Sequence, residues 1–347
     1  MGDFDLDRLV EAELKARGGD RAVYDKVLAR NLIELDKRDK APLAYFIERI
    51  LSKEGDPFHI PDLSEVPPNT YFLTPGSPGR AEVIWGKFDR RQRKVDNARA
   101  FTLYPGSVLS KDEQDYIACL AMTSHMGGPS LKIAVREVIA NMYKRHDVKL
   151  ITDIRPGSSG ATQHKAADGR VIKAGDIFYA TFATLDPALA KTYGLPVDYK
   201  ANTHPDLLDA METAATRMEE EFGITVHKGG TYSKLDLGEG EMGLGVSREA
   251  AVYHAKVKAV KAATGHIATE MEGAFLGTLA DECKQYGITL RQGTMGYFVG
   301  EIKEDGHEES FISPKLTIQG LNNLMTFIKY TVQELHVIDA VRYHSSD

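Results

Sequence analysis

Residues 71–80 read Tyr-Phe-Leu-Thr-Pro-Gly-Ser-Pro-Gly-Arg, which is a short apolar run, a turn rich in glycine and proline, and the start of a helix. The pattern predicts a strand over 71–74 and a helix over 79–88. From Tyr71 onward, apolar runs of strand length continue to alternate with segments of helical periodicity. This alternation is typical of an α/β domain whose sheet is largely central.

The same two periodicities locate the other elements of the domain. Strands are predicted at 94–103, 116–123, 148–154, 176–183, 224–232 and 289–299. Helices are predicted at 129–145, 205–222, 247–263, 270–286 and 314–334. The helix at 129–145 has the clearest pattern, because Pro129 fits a first helical turn and apolar residues recur along one face.

The N-terminal segment has a different pattern. Residues 5–53 contain two or three amphipathic helices, with a break at Gly18-Gly19, and a proline-rich linker follows them. We therefore expect a helical N-terminal extension over residues 1–56 and an α/β domain over residues 57–347.

Composition argues against several classes of protein. The 347 residues carry 43 Lys and Arg against 50 Asp and Glu, and the net charge of −7 disfavours nonspecific binding to nucleic acid or an anionic membrane. The two cysteines, Cys119 and Cys283, lie in apolar segments without metal-ligand or redox spacing. This favours reduced core residues in a cytoplasmic protein. We find no signal-peptide pattern and no apolar run of membrane-spanning length.

Two glycine-containing loops are suited to binding an anion. The first comprises residues 74–80, and the second is Arg155-Pro-Gly-Ser-Ser-Gly160, which we expect directly after a strand that ends at Ile154. Glycine allows backbone N–H groups to face a ligand, and arginine offers a planar pair of donors to phosphate. Either loop alone is commonly only a turn. Together, with arginines at the ends of two strands, they predict an oxyanion site.

Glu272 lies in the apolar stripe of the predicted helix at 270–286, while Glu270 is expected on the opposite, solvated face. Burying an unpaired carboxylate costs several kcal/mol or more, so the Glu272 carboxylate needs a partner. Two interpretations remain open at this point. Free backbone amides at the start of the helix could hold the carboxylate, or the carboxylate could accept hydrogen bonds from a ligand.

Five ordered motifs of the chain resemble those of the nucleoside phosphorylase family, and most closely those of its uridine phosphorylase branch. The resemblance covers roughly residues 57–335. The motifs are Phe58-His59-Ile60, the phosphate-loop pattern at 74–80, the glycine-rich turn at 124–130, the segment 155–160 and Glu270-Met271-Glu272. The resemblance implies a nucleoside phosphorylase-like fold, with three α/β/α layers around a mixed central sheet.

The resemblance also implies roles for individual residues. Phosphate binding is implied for Gly76, Arg80, Arg99, Arg155 and Ser158. Ribose binding is implied for His59, Met271 and Glu272, and base binding for Ser159, Gly160, Leu237 and Glu241. By the same resemblance, Arg99 would reach the phosphate site of a neighbouring subunit and His59 would reach its ribose 5′-hydroxyl, so a homodimer or a larger assembly is expected.

Nucleoside phosphorolysis is the activity that the resemblance implies. Phosphate attacks the sugar carbon that bears the base, and the transition state has oxocarbenium character, as in glycoside hydrolysis. An enzyme assists by positioning phosphate and ribose and by stabilising charge on the departing base. Because phosphate is itself the nucleophile and a co-substrate, we expect no metal and no further cofactor.

The base pocket departs from the uridine phosphorylase pattern. The Phe-x-x-x-Gln-x-Arg segment of that branch aligns with Leu237, Glu241 and Gly243, and its second arginine aligns with Glu301. An ionised glutamate accepts hydrogen bonds but cannot donate one to a carbonyl oxygen of the base. Three hypotheses therefore stand: phosphorolysis of a nucleoside, with uridine as first candidate; a purine nucleoside phosphorylase or a nucleosidase; or a catalytically weakened homologue that only binds nucleosides or assembles with an active partner.

Overall fold

The computed structural model describes residues 6–234, 247–310 and 313–344. The chain divides into two compact units, Met1–Arg49 and Ile50–Asp347. The first unit contains α1 (Leu6–Arg17), α2 (Arg21–Lys40) and most of α3 (Pro42–Ile50). Asp20 caps α2, because its side chain accepts a hydrogen bond of 2.8 Å from the backbone N–H of Ala22. The expected boundary after residue 56 stays a prediction.

The second unit is an α/β domain. Its described strands are β1 (Tyr71–Leu73), β2 (Arg90–Arg91), β3 (Leu103–Leu109), β4 (Tyr116–Met122), β5 (Leu150–Ala161), β6 (Ile177–Leu185), β7 (Lys200–Asn202), β8 (Val226–Ser233), β9 (His266–Glu270), β10 (Thr289–Ile302) and β11 (Glu308–Ser310). Its described helices are α4 (Pro78–Gly86), α5 (Gly128–His146), α6 (Pro187–Thr192), α7 (Pro205–Phe222), α8 (Arg248–Ala263), α9 (Gly273–Lys284) and α10 (Pro314–His344).

The strands form one mixed sheet that partly closes on itself. The order along the sheet is β11-β10-β6-β8-β9-β5-β1-β4-β3-β2, and β7 pairs with β6. Strand β10 also pairs in parallel with β5, so β5, β10, β6, β8 and β9 form a closed circuit. Strands β1 and β4 continue the sheet in parallel from β5. The predicted α/β class with a mixed sheet is confirmed.

Apolar faces of α4, α7 and α10 pack against the sheet. One buried cluster joins β1 with α4, α7 and α10, through residues such as Leu73, Ile84, Met211 and Phe327. Helix α5 lies against α9, where the amino group of Lys132 donates a hydrogen bond of 3.1 Å to the hydroxyl of Thr278. These contacts fix the starts of α4, α5 and α9 beside the ends of β1, β5 and β9.

Three predicted elements are corrected by the structure. The strand expected at 94–103 is wrong, because Val95 and Leu103 form only an isolated bridge and β3 begins at Leu103. Strand β5 does not end at Ile154 but continues to Ala161. The helix expected at 270–286 begins at Gly273, because the preceding residues 266–270 belong to β9, which is buried along its whole length.

Candidate functional site

The ends of β1 and β5 bring the two glycine-containing segments together. The strands run in parallel, and the N–H of Thr74 donates a hydrogen bond of 3.0 Å to the carbonyl of Ile154. The backbone of Gly76 therefore lies beside the Arg155 side chain. A Cβ added at Gly76 would be 3.2 Å from Nη2 of Arg155 and 3.2 Å from the carbonyl oxygen of His125. Only a glycine leaves this space open without a shift of its neighbours.

Arg155 and Glu272 form a buried ion pair at this position, with 6% and 5% of their side chains exposed. Nη1 of Arg155 also donates a hydrogen bond of 3.0 Å to the carbonyl of Pro156, but its Nε has no partner among the described residues. The Glu272 carboxylate accepts a further hydrogen bond of 2.8 Å from the N–H of Gly127, at the start of α5. The partners of Glu272 are thus Arg155, the backbone N–H of Gly127 and, at 3.3 Å, the backbone N–H of Met271.

Glu270 is the carboxylate that the start of a helix holds. It accepts hydrogen bonds of 2.6 Å from each of the N–H groups of Glu272 and Gly273, and the Ser233 hydroxyl donates to its other oxygen. The expectation that Glu270 is solvated was wrong, because it ends a buried strand and is only 6% exposed. Burial, and then the charge of Glu272, raises the pKa of Glu270.

Arg80 adds a second guanidinium to the site. It lies in the first turn of α4, and its Nη2 donates a hydrogen bond of 2.9 Å to the hydroxyl of Ser158 on β5. Packing around the guanidinium, and then the nearby charge of Arg155, lowers the pKa of Arg80. The guanidinium groups of Arg80 and Arg155 therefore lie close enough to repel each other, and the charge of Glu272 offsets part of that repulsion. An added anion would reduce the repulsion further.

Residues 155–160 were expected to form a loop, and this expectation was wrong. They continue β5 and pair in parallel with β10, from Arg155 opposite Thr294 to Gly160 opposite Gly300. A register shift in β10 between Phe298 and Gly300 accommodates the pairing. Gly157 has no Cβ and the neighbouring serines have short side chains, so β5 can pair closely with β10 and leave room for the Arg155 side chain.

The residues expected to contact the base are only partly described. Ser159 is buried, and its hydroxyl has no hydrogen-bond partner among the described residues, while Gly160 is half-buried. Met271 is half-buried beside Glu272. Leu237 and Glu241 lie outside the described residues, as does the remainder of the aligned base-binding segment. An unpartnered buried hydroxyl beside the Arg155 segment is consistent with a polar ligand at this end of β5.

His59 and Arg99 lie on neighbouring segments and are not joined to the Arg155–Glu272 pair within the described part of this chain. The Asn97 side chain donates to the carbonyl of His59 and accepts a hydrogen bond of 3.0 Å from the N–H of Arg99. The Arg99 side chain is exposed and makes no hydrogen bond or ion pair with another described residue. The phosphate and ribose roles expected for these two residues across a subunit interface remain predictions.

Two buried acids were not predicted from the sequence, one near Arg155 and one beside His59. Asp153 precedes Arg155 by two residues, is 2% exposed, and accepts a hydrogen bond of 2.7 Å from the Thr74 hydroxyl. Burial raises the pKa of Asp153 to about 7. Glu137, in α5, is also 2% exposed and binds the backbone around His59. The signal for both was an acid within an apolar pattern, the same signal that identified Glu272.

A cavity of about 1150 Å³ lies at the N-terminal ends of β1, β4, β5 and β10, opposite the end of β1 beside which Thr74 and Arg155 lie. Its buried polar groups already have partners in the protein. Arg291 donates hydrogen bonds of 2.9 Å to Thr152 and 2.8 Å to Asp339, and the Tyr71 hydroxyl lies 2.7 Å from the same Asp339 carboxylate. Unpartnered buried polar atoms, Nε of Arg155 and the hydroxyl of Ser159, are instead found around Arg155.

Two other kinds of feature are absent from the described residues. No group of three or more His, Cys, Asp or Glu side chains in these parts of the chain could hold a metal ion. No helix there is long and apolar enough to cross a membrane. Both cysteines are buried and unpaired, as expected for core residues.

Comparison with known proteins does not assign the chain to a family. No protein-family model matches it, and no curated protein matches its sequence. The functional interpretation therefore depends on the residues around Arg155 and on the resemblance of the five motifs.

Proposed function

We propose that this protein is a nucleoside phosphorylase, which uses inorganic phosphate to convert a nucleoside, with uridine as the first candidate, into a free base and ribose 1-phosphate. The observation that carries the proposal is the buried Arg155–Glu272 pair with Arg80, Ser158 and Gly76 around it. This cluster combines two phosphate-binding guanidinium groups with one carboxylate suited to the vicinal hydroxyls of a ribose. The nucleoside phosphorylase-like three-layer fold and the cytoplasmic homodimer with a shared site belong to the same proposal.

Phosphate would enter where Arg155 and Arg80 present their donors. Arg155 has an unpartnered Nε, and its Nη2 now binds Glu272, so phosphate can take both the free donor and the shared one. Arg80 and the Ser158 hydroxyl supply further donors at the same place. The backbone of Gly76 leaves room for the anion because no side chain fills the space next to Arg155.

Ribose would then take the place that Arg155 gives up on Glu272. The Glu272 carboxylate accepts hydrogen bonds, and the 2′- and 3′-hydroxyls of a ribose donate them. The hydrogen bond from Gly127 keeps the carboxylate in position while its other partner changes. In the reaction, a phosphate oxygen forms a bond to C1′, the C1′–N bond breaks, and its electron pair leaves with the base, which takes up a proton.

One assay tests the proposal against its alternatives. The purified protein is incubated with uridine, thymidine, inosine or adenosine, with and without phosphate, and free base and ribose 1-phosphate are quantified. We expect phosphate-dependent release of uracil. Turnover of inosine alone would contradict the pyrimidine assignment, and release of base without phosphate would indicate a nucleosidase.

A matched pair of arginine variants links the activity to the site. Arg155→Met removes the central guanidinium and is expected to abolish phosphate-dependent turnover. Arg136→Met is the control, because Arg136 forms a partly exposed ion pair with Glu282 between α5 and α9, away from the cluster. Binding of nucleosides without turnover by the wild-type protein would contradict phosphorolysis and support a binding-only homologue.

A further inference from the structure

Glu137 holds the segment around His59 with one carboxylate. Its two oxygens accept hydrogen bonds from three consecutive backbone N–H groups, at 3.2 Å from Phe58, 2.8 Å from His59 and 2.9 Å from Ile60. The imidazole Nδ1 of His59 lies 2.5 Å from the same carboxylate. Glu137 is 79 residues away from Phe58 in sequence, so α5 supplies a fixed anchor to a segment without regular structure.

The contacts around Glu137 determine which nitrogen of His59 carries the proton. All three backbone partners are donors, so the Glu137 carboxylate acts as an acceptor. A carboxylate acceptor requires Nδ1 of His59 to carry its hydrogen. On the neutral imidazole, Nε2 is then free of hydrogen and acts as an acceptor. A carboxylate behind Nδ1 also makes the ring a stronger hydrogen-bond acceptor at Nε2.

The imidazole remains available to a ligand. The His59 side chain is 30% exposed, whereas the Glu137 side chain behind it is 3% exposed. The Asn97 side chain donates a hydrogen bond to the carbonyl of His59, and Glu137 accepts one from its N–H, so both backbone polar groups of His59 are held by side chains. A segment that served only to connect α3 with β1 would not require a buried carboxylate with four donors.

We propose that Glu137 is a positioning residue that orients His59 to accept a hydrogen bond at Nε2 from the 5′-hydroxyl of the nucleoside. Glu137 thereby makes the enzyme selective for nucleosides with an unmodified primary hydroxyl. The inference rests on the proposed function and on the ribose role of His59, and it holds whether His59 serves its own subunit or a neighbouring one. Glu137 itself contacts no substrate.

The test compares two substrates that differ only at the 5′ position. Glu137→Gln keeps the volume of the side chain but cannot satisfy four donors, so the ring is expected to lose its fixed orientation. We expect kcat/KM for uridine to fall about tenfold, as for one well-oriented hydrogen bond, and kcat/KM for 5′-deoxyuridine to change by less than about twofold. His59→Ala should give the same pattern, and Glu137→Gln should have no further effect on uridine in that background.

The control is Glu282→Gln, which removes the partner of Arg136 on the same helix pair without touching His59. This variant should leave the ratio of kcat/KM for uridine to kcat/KM for 5′-deoxyuridine unchanged. An equal loss on both substrates in Glu137→Gln, with the wild-type enzyme active, would show a merely structural role and refute the inference alone. An inactive wild-type enzyme would refute the proposed function and the role of Glu137 with it.

A second measurement does not depend on activity. ¹⁵N NMR of the histidine ring at alkaline pH reports which nitrogen carries the hydrogen. We expect His59 of the wild-type protein to be protonated at Nδ1, and Glu137→Gln to shift it toward the other tautomer. A wild-type His59 protonated at Nε2 would contradict the orientation on which the inference depends.

Discussion

Glu272→Gln is expected to destabilise the second unit by about 3–5 kcal/mol when no phosphate is present. The substitution keeps the size of the side chain, and glutamine can still accept the hydrogen bond from Gly127. It removes the charge that balances Arg155, whose side chain is 6% exposed and has an unpartnered Nε. Leaving one ion of a buried pair without its partner is costly, because the charge stays in a medium of low polarity.

Phosphate should restore part of that stability. In the variant, Arg155 and Arg80 lack the charge of Glu272, and an anion can replace that charge. A ligand present at 100 times its dissociation constant stabilises the native state by about 2.7 kcal/mol. The gain from phosphate should be larger in Glu272→Gln than in the wild-type protein, in which phosphate must compete with Glu272 for Arg155.

Urea unfolding followed by tryptophan fluorescence measures both effects. The only tryptophan, Trp85, lies in α4 close to Arg80, so the signal reports on the unit that contains the site. With a slope of about 3 kcal/mol per molar urea, the midpoint should fall by about 1 M or more. Titrations use phosphate and, at matched ionic strength, chloride.

Glu282→Gln serves as the matched control for this experiment. The Arg136–Glu282 pair is 31% and 23% exposed, so its loss should cost only about 0–1 kcal/mol and should not respond to phosphate. The reasoning is refuted if Glu272→Gln unfolds within about 0.5 kcal/mol of the wild-type protein, the range of ordinary surface substitutions. It is equally refuted if phosphate stabilises the variant no more than chloride does.

Other substitutions probe the phosphate subsite, the buried acid and the packing of the second unit. Ser158→Ala removes the hydroxyl that Arg80 contacts, and initial rates at varied phosphate should show KM for phosphate raised about fivefold or more, with a smaller change in kcat. The pKa of Asp153 is raised to about 7 in the folded protein, against about 4 in the unfolded chain. Between about pH 4 and pH 7 the folded state therefore binds more protons at this group, and the wild-type protein loses stability as the pH rises through that window. Asp153→Asn should remove this loss. The unfolding free energy of the variant minus that of the wild-type protein should be largest at about pH 8 and smallest at about pH 4, and a difference that does not change with pH would contradict the raised pKa of Asp153. Gly128→Ala would place a Cβ 2.2 Å from the ring of Phe275, so thermal unfolding should show a loss of about 1–3 kcal/mol or more, whereas Gly86→Ala, with no atom within 4 Å of its added Cβ, should be neutral or stabilising.

The parts of the fold that follow from local periodicity were predictable. The strand, turn and helix at 71–80 are present, and α5, α7 and α8 lie within one or two residues of the expected ranges. An amphipathic helix records its buried face in its own sequence. Strand β9 does not, because all five of its residues are buried and no alternation marks it as a strand. The helix that follows was therefore placed three residues too early, and Glu270 was assigned to solvent.

The error at residues 155–160 has a different origin. The composition Pro-Gly-Ser-Ser-Gly favours a turn, but pairing with β10 overrides the local preference. Such pairing joins segments more than 130 residues apart, so a local pattern carries no record of it. The same limit applies to Glu137 and Asp153. The sequence shows each of them as an isolated acid in an apolar pattern, but it does not show that their partners are His59 and Thr74.

The Arg155–Glu272 pair also implies that the two proposed substrates help each other to bind. In this structure Arg155 and Glu272 bind each other, so phosphate would have to separate them before it takes the Arg155 donor that now binds Glu272. The separation would leave Glu272 with its backbone hydrogen bonds and without its counter-ion, and under the proposed function a ribose diol takes the place of Arg155. The free energy needed to separate Arg155 from Glu272 is therefore spent only once, and the ligand that binds second does not have to supply it again. Because coupling between binding sites is reciprocal, phosphate should increase the affinity for the nucleoside by the same factor that the nucleoside increases the affinity for phosphate.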